Sequence, residues 1–256
     1  MRTFVAGLAF AMPFSLVYQM MSDRMKGQQK SEKVIKGLPF AAGFTAGTAV
    51  SIAGNMHYVI YAQIIPLIEK LTGKEVSSYW FPDATRYIGY NPYREEDRTI
   101  HEFPCYSFVL GDLHAHVVNI MFVLLVIAFL YVWLRGVRKK TVPVETSMKD
   151  GKFWKEQLLM THLLVISALL GMFQWTNFWD FVIYYVVTLG TVLFANIIRF
   201  QGKIKKIMVV TFAQMAEIYL LAYLVILPFT LQFDTMVDGI GIAKLSLIHI
   251  SEPTRL

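Results

Sequence analysis

The chain has 256 residues, of which 55% are hydrophobic and only 16% are Asp, Glu, Lys or Arg. A soluble domain has about a quarter of its residues charged, and the mean hydropathy here is +0.48. The composition therefore excludes an ordinary soluble domain and indicates an integral membrane protein. The net charge of +6 does not indicate a nucleic-acid partner, because the basic residues lie mainly in short loops between apolar runs. A single cysteine, Cys105, excludes an intrachain disulfide.

Six apolar runs approach the roughly 20 residues that a membrane-spanning helix needs. They are Phe4–Met21, Leu38–Gly54, Val117–Leu134, Leu158–Trp175, Phe181–Ile198 and Ile207–Leu231. A further apolar segment, Tyr58–Ile68, is too short to span and is expected to form an interfacial or re-entrant helix. We predict an all-α, polytopic bundle of about six transmembrane helices with one long outer loop, residues 56–116.

The orientation of the runs follows from Lys and Arg, which are enriched in cytoplasmic loops. Basic loops follow the first, third and fifth runs, so all three can be cytoplasmic if six helices alternate. The long loop His57–His116 holds five Lys or Arg against eight Asp or Glu, which favours the outside. We expect a multi-pass protein of the cell membrane with its motifs on the non-cytoplasmic side. The first helix then enters from outside, through either a missing preceding segment or a short translocated N-terminus.

Two charged residues of the long loop are candidates for binding or catalysis. Arg86 could hold a phosphate or carboxylate through bidentate hydrogen bonds, or could pair with Asp83 or Glu102. Glu102 could be a catalytic base, a metal ligand or the partner of Arg86.

The block Thr99–His116 reads TIHEFPCYSFVLGDLHAH and ends where the third helix begins. Its Asp112, His114 and His116 combine carboxylate and imidazole, which suits a divalent metal or general acid–base catalysis. On a helix, Asp112 and His116 would share a face, whereas an extended segment would direct all three to one side. The alternative is that Asp112 caps the third helix and the histidines are ordinary interfacial residues. We favour the functional interpretation, because such groups are costly to place at a membrane boundary.

The segment Gln174–Phe181, QWTNFWDF, connects the fourth and fifth helices on the same side as Asp112. Asn177 and Asp180 are candidates for substrate binding there, together with Trp179. Asp180 could instead cap a helix, and Trp179 could be an interface anchor.

The sixth run carries Gln214 and Glu217 near mid-membrane. Buried polar groups at this depth mark either a function or hydrogen bonds between helices, and we expect the second.

The C-terminal segment Leu245–Leu256 is not expected to be natural protein sequence. Leu245 to Arg255 read LSLIHISEPTR, which matches a back-translated transposon-type sequencing adapter. We therefore exclude the segment from fold and site. The prediction is a single transmembrane domain over residues 1–244, as a fragment of a longer protein.

Three of these motifs resemble an uncharacterised family of polytopic membrane proteins, the YYY type (archaeal/Chloroflexus-type). They are EFPCYSFVLGDLHAH at Glu102–His116, ATRY at Ala84–Tyr87 and TNFWDF at Thr176–Phe181. The family pattern reads EFPFFSFLxGDLHxH and NTWDFPTY. The resemblance covers most of the chain, from about Gly37 to Lys244.

The layout of that family is similar to that of GT-C glycosyltransferases, which use polyprenyl-phosphate sugars. The resemblance implies an enzyme that takes such a lipid-linked sugar at the outer membrane face. The candidate catalytic residues are Asp112, His114, His116 and Glu102, and the candidate substrate-binding residues are Arg86, Asn177, Asp180 and Trp179. The first three would also hold a divalent metal, Mg or Mn. In GT-C proteins the main catalytic carboxylate lies in the first outer loop, which would precede Met1 in a truncated chain.

The residues also fit two other functions. One is a transporter or flippase of a lipid-linked or small polar substrate, for which Glu217 is the candidate group within the membrane. The other is an assembly protein with a structural metal at Asp112, His114 and His116. Convergence of Arg86, Asp112, His116 and Asp180 on one cavity would favour the enzyme.

Overall fold

The computed structural model describes residues 2–28, 31–54, 57–76, 78–81, 86–91, 94–139 and 147–233. For residues 86–91 and 94–101 it describes the backbone only. The segment 245–256, predicted to be adapter-derived, lies outside these residues. The described residues form two compact units, the first ending at Val117 and the second beginning at Val118.

The first unit begins with a helical hairpin and ends at the start of a long helix. Its elements are α1 Arg2–Met25, α2 Glu32–Ser51, a π-helix Tyr58–Ile64, α3 Ile65–Leu71, β1 Arg86–Asn91, β2 Arg94–Glu102, α4 Pro104–Leu110 and the first residues of α5 Ala115–Lys139.

Helices α1 and α2 pack closely because α2 presents two glycines to α1. A Cβ on Gly43 would lie 2.8 Å from the Phe14 carbonyl oxygen, and one on Gly47 would lie 2.8 Å from that of Phe10. The later glycine of α2 meets the earlier phenylalanine of α1, so the two helices run antiparallel. Small residues four apart allow this approach of backbones, as is common between membrane helices.

The long loop contains a β-hairpin that the all-α prediction did not include. Strand β1 pairs antiparallel with β2, and Arg86 lies opposite Glu102 in the ladder. The segment Tyr58–Ile68, predicted as interfacial or re-entrant, is helical. It forms the π-helix and the first part of α3. Each has 7 residues and none of them is buried.

The second unit is a bundle of helices around one apolar core. Its elements are the rest of α5, α6 Gly151–Leu158, α7 Thr161–Thr176, α8 Phe178–Phe200 and α9 Ile204–Thr230. Fully buried side chains of its core include Val126, Leu163, Ile166, Leu170, Phe173 and Ile218. Helices α7 and α9 meet at Gly171, where a Cβ would lie only 2.7 Å from the Ala222 carbonyl oxygen.

The polytopic helical fold is confirmed. Among the described residues, 4 helices are long and apolar enough to cross a membrane: α1, α5, α8 and α9. The pair α6 and α7, bent by 49°, gives a fifth span if counted together. Helix α2, predicted as the second span, is not among these helices. Its mean hydropathy is too low, because Lys36 and several glycines and threonines lie among its apolar residues.

Gln214 makes the interhelical contacts expected of it. Its Nε2 donates to the Gln157 carbonyl oxygen at 2.9 Å, and its Oε1 accepts from Asn196 Nδ2 at 2.8 Å. Arg199 extends this network by donating to the side-chain oxygens of Gln157 and Asn196. Glu217 differs, because its Oε2 is buried without a hydrogen-bond partner among the described residues.

Candidate active site

A short loop between α4 and α5 carries the GDLH part of the predicted motif. Helix α4 ends at Leu110, and Gly111 takes the left-handed conformation with φ +81° while its N–H donates to the Ser107 carbonyl at 2.9 Å. Glycine ends helices in this way because it lacks a Cβ. Helix α5 begins at Ala115. Asp112 therefore lies three residues before the helix, which is not the N-cap position considered for it.

His114 lies between two carboxylates. Its Nε2 is 2.9 Å from Glu102 Oε2 and 3.3 Å from Asp112 Oδ2. This nitrogen is buried, and neither approach has the alignment of a hydrogen bond. The side chain of Glu102 is only 13% exposed, whereas that of Asp112 is 68% exposed. An imidazole nitrogen this close to one largely shielded and one exposed carboxylate is within reach of both, and a small rotation that aligns a hydrogen bond would allow proton exchange.

The other two predicted residues of this region lie beside that cluster. His116 is the second residue of α5, and its ring stacks on that of His114 with centroids 5.8 Å apart. Arg86 is placed by the hairpin register directly across from Glu102, although its side chain lies outside the described residues. The fold thus brings Glu102, Asp112 and His114 into contact.

A metal site was predicted at Asp112, His114 and His116. Among the residues that the structure describes, no three His, Cys, Asp or Glu side chains have the arrangement of a metal site. The ligand set therefore stays a prediction.

Arg2 is a residue of this region that sequence reasoning missed. Its Nη1 donates to the Val109 carbonyl oxygen at 3.3 Å, across 107 positions of sequence. A Cβ placed on Gly111 would lie 2.9 Å from the same Nη1. The guanidinium therefore covers Gly111, the residue before Asp112. The sequence offered one signal. Arg2 lies just before the first apolar run, and the predicted topology places that end of the run on the same side of the membrane as the motifs.

The second unit holds the predicted residues Asn177 and Asp180 in one hydrogen-bonded group. Asn177 alone connects α7 to α8, and Asp180 lies in the first turn of α8. Asp180 Oδ2 accepts from Asn177 Nδ2 at 3.1 Å and from Asn119 Nδ2 at 2.5 Å. Trp179 is 43% exposed and meets the Phe178 ring edge-on.

Asn119 is the second residue that sequence reasoning missed. It is 1% exposed, and its Oδ1 accepts from the Thr176 hydroxyl at 3.0 Å while its Nδ2 donates to Asp180. Its two hydrogen bonds tie α5 to the α7–α8 connection and fix the Asp180 carboxylate. The signal was an amide inside an apolar run, which is costly unless it is hydrogen-bonded.

We expect Asn119→Ala to lower the free energy of unfolding by about 1–3 kcal/mol, because it removes a buried amide that serves two polar partners. Thermal unfolding in detergent measures this change. Gln232→Ala, which removes an exposed amide, should leave the transition unchanged. Equal transitions for the two variants would contradict the structural role of Asn119.

A family model described as Uncharacterized membrane protein (DUF2298) matches residues 2–256. The match includes the segment that we predicted to be adapter-derived. No curated protein and no solved structure matches the chain. The family match agrees with the expected uncharacterised family of multi-pass membrane proteins. The match does not show that the chain is of the YYY type or that it has a GT-C layout.

Proposed function

The chain belongs to the family described as Uncharacterized membrane protein (DUF2298), and on that premise we propose that it is a glycosyltransferase-like membrane enzyme. Its donor would be a sugar linked to polyprenyl phosphate, taken from the bilayer at the outer face of the membrane. The observation that best supports this proposal is the contact of His114 Nε2 with Glu102 and Asp112 at 2.9 and 3.3 Å.

The proposed reaction needs one proton acceptor. The acceptor hydroxyl oxygen attacks the anomeric carbon, a new glycosidic C–O bond forms, and the bond to the phosphate oxygen breaks. The polyprenyl phosphate leaves with that electron pair. Glu102 takes the hydroxyl proton, because its carboxylate is mostly shielded from water and fixed at the end of β2. His114 passes the proton on to the exposed Asp112.

The remaining predicted residues have binding roles in this proposal. Arg86, across the ladder from Glu102, would hold the donor phosphate, since its planar fork matches phosphate oxygens. Asn177, Asp180 and Trp179 belong to the second unit, and their role in binding sugar hydroxyls and a sugar ring stays a prediction from the sequence. His116, stacked on His114, would limit the movement of that ring.

The outer location of the cluster is part of the proposal and has its own test. On a Cys105→Ala background, we expect an impermeant maleimide to label Glu75→Cys in intact cells. Ser31→Cys and Lys203→Cys should react only after permeabilisation, because they lie in basic loops. The reverse labelling pattern would contradict the orientation. Native Cys105 is a poor reporter, since burial raises the pKa of its thiol and the thiolate is the reactive form.

A transporter or flippase is the second candidate, favoured by one observation. Glu217 Oε2 is buried within α9 without a hydrogen-bond partner among the described residues, as a group on a translocation path would be. Proteoliposomes holding a polyprenyl-phosphate donor with a labelled sugar separate the two functions. When an acceptor with a free hydroxyl group is added, the enzyme transfers the sugar to it and releases polyprenyl phosphate in a Glu102-dependent reaction. A flippase moves the intact donor across the bilayer, and that movement depends on Glu217.

A further inference from the structure

Arg2 has the chemistry of an anion-binding residue. It is exposed, and its guanidinium carries five N–H donors in a fixed fork. Among the described residues, its one hydrogen bond is the 3.3 Å contact with the Val109 carbonyl oxygen. No carboxylate of that part of the chain lies within ion-pair distance of it. Most of its donors are therefore not used by the described residues, and they can bind an anion.

The absence of a side chain at Gly111 leaves room for this guanidinium. The Arg2 side chain passes so close to Gly111 that a Cβ there would meet Nη1 at 2.9 Å and Cδ at 3.6 Å. Any other residue at this position would displace the arginine. The contact holds the positive charge one residue from Asp112, whose carboxylate is 3.3 Å from His114 Nε2.

A positive charge is needed at this place if the donor carries a phosphate. Glu102 and Asp112 both repel a phosphate that approaches the cluster, and an opposite charge at short range offsets that repulsion. Arginine binds phosphate through two parallel hydrogen bonds, which fixes its orientation as well as its position.

We propose that Arg2, positioned by Gly111, binds the phosphate of the polyprenyl-phosphate donor. This inference rests on the proposed function and adds to it a phosphate contact from the first helix, separate from the contact predicted for Arg86. Arg2 would hold the phosphate beside the carboxylate cluster while the prenyl chain stays in the bilayer. Arg2 is thus a substrate-binding residue of the same site.

Binding of radiolabelled farnesyl phosphate to the purified full-length protein in detergent tests this assignment. We expect Arg2→Gln to weaken binding by about 10- to 100-fold, the usual effect of losing a charge-assisted hydrogen bond. Arg2→Lys should weaken it less, because lysine keeps the charge and loses the fork. Farnesol, which lacks the phosphate, should bind weakly and equally to the wild-type protein and both variants.

Gly111→Ala supplies a test that leaves the arginine in the chain. It should weaken farnesyl phosphate binding by displacing Arg2. Gly73→Ala is the matched control, since Gly73 has a similar φ of +71° with nothing within 4 Å of an added Cβ. Both variants carry a similar backbone strain, so only Gly111→Ala should change binding. Equal effects of the two would remove Gly111 from the assignment.

Two competitors identify the source of the phosphate. Phosphatidylglycerol and inorganic phosphate should each compete at least tenfold more weakly than unlabelled farnesyl phosphate. Unchanged binding in Arg2→Gln would overturn the inference. Competition by phosphatidylglycerol as strong as by farnesyl phosphate would also overturn it, because Arg2 would then be an ordinary contact to the bilayer surface.

Sugar transfer measured on the same variants separates this inference from the proposed function. Transfer by the wild-type protein together with normal farnesyl phosphate binding by Arg2→Gln would refute the role of Arg2 alone. Arg2-dependent binding without any transfer by the wild-type protein would refute the glycosyltransferase and leave a lipid-phosphate site at Arg2.

Discussion

Replacing Glu102 with Gln is expected to lower the rate of sugar transfer by about 10²- to 10⁴-fold, the usual contribution of a general base. The glutamine has nearly the same shape, so the fold and the binding of farnesyl phosphate should be unchanged. The loss should appear in kcat rather than in KM, because proton removal belongs to the chemical step. The largest effect falls on Glu102 because its carboxylate is 13% exposed and lies 2.9 Å from His114 Nε2.

Glu75→Gln is the control for this variant, since Glu75 is an exposed carboxylate of the same long loop. It should transfer sugar at the wild-type rate. Asp112→Asn should lose less activity than Glu102→Gln, because water can replace an exposed proton acceptor more easily than a shielded one. Equal rates for Glu102→Gln and Glu75→Gln would remove Glu102 from the chemistry.

Gly171→Ala is expected to destabilise the helical bundle by about 1–3 kcal/mol, the usual cost of overpacking. The added Cβ would lie 2.7 Å from the Ala222 carbonyl oxygen and 2.8 Å from Val225 Cβ. Both contacts are with α9, and backbone cannot rotate away as a flexible side chain can. Helices α7 and α9 must therefore separate at this contact.

Gly190→Ala is the matched control, because Gly190 also lies within a helix and an added Cβ there meets nothing within 4 Å. Alanine stabilises a helix more than glycine does, so this variant should be as stable as the wild type or up to about 1 kcal/mol more stable. Thermal unfolding of both variants in the same detergent measures the difference. A Gly171→Ala variant as stable as Gly190→Ala would show that α7 and α9 do not pack as described.

The long apolar helices could be predicted from sequence because a membrane span depends on local composition. The runs Phe4–Met21 and Phe181–Ile198 lie within α1 and α8, each shorter than its helix by a few residues at either end. The break before α7 was less visible. The predicted fourth run begins at Leu158, where the amphipathic α6 ends and the chain turns by 49°.

The candidate site was predictable as a set of residue types but not as an arrangement. Glu102 ends a strand whose sequence, REEDRTIHE, lacks the alternation of apolar and polar residues that indicates a strand. Its approach to His114 depends on how the hairpin, α4 and the GDLH loop fold together. Spacing along the chain carries no information about such contacts.

Arg2 and Asn119 show the same limit at longer range. Arg2 meets Val109 across 107 positions, and nothing local connects an arginine at the end of a span with a distant motif. Asn119 meets Asp180 across 61 positions, and its single amide is outweighed by the apolar residues around it. Only packing reveals which isolated polar residues belong to a motif.

We propose that this protein transfers sugar from a polyprenyl-phosphate donor with the help of the Glu102–His114–Asp112 cluster. Incorporation of labelled sugar from such a donor into a hydroxyl-bearing acceptor by the full-length protein, compared with its Glu102→Gln variant, tests it most directly. We predict donor-dependent incorporation by the wild-type protein and a clear loss in the variant. No incorporation by the wild type, or equal incorporation by both proteins, would contradict the claim.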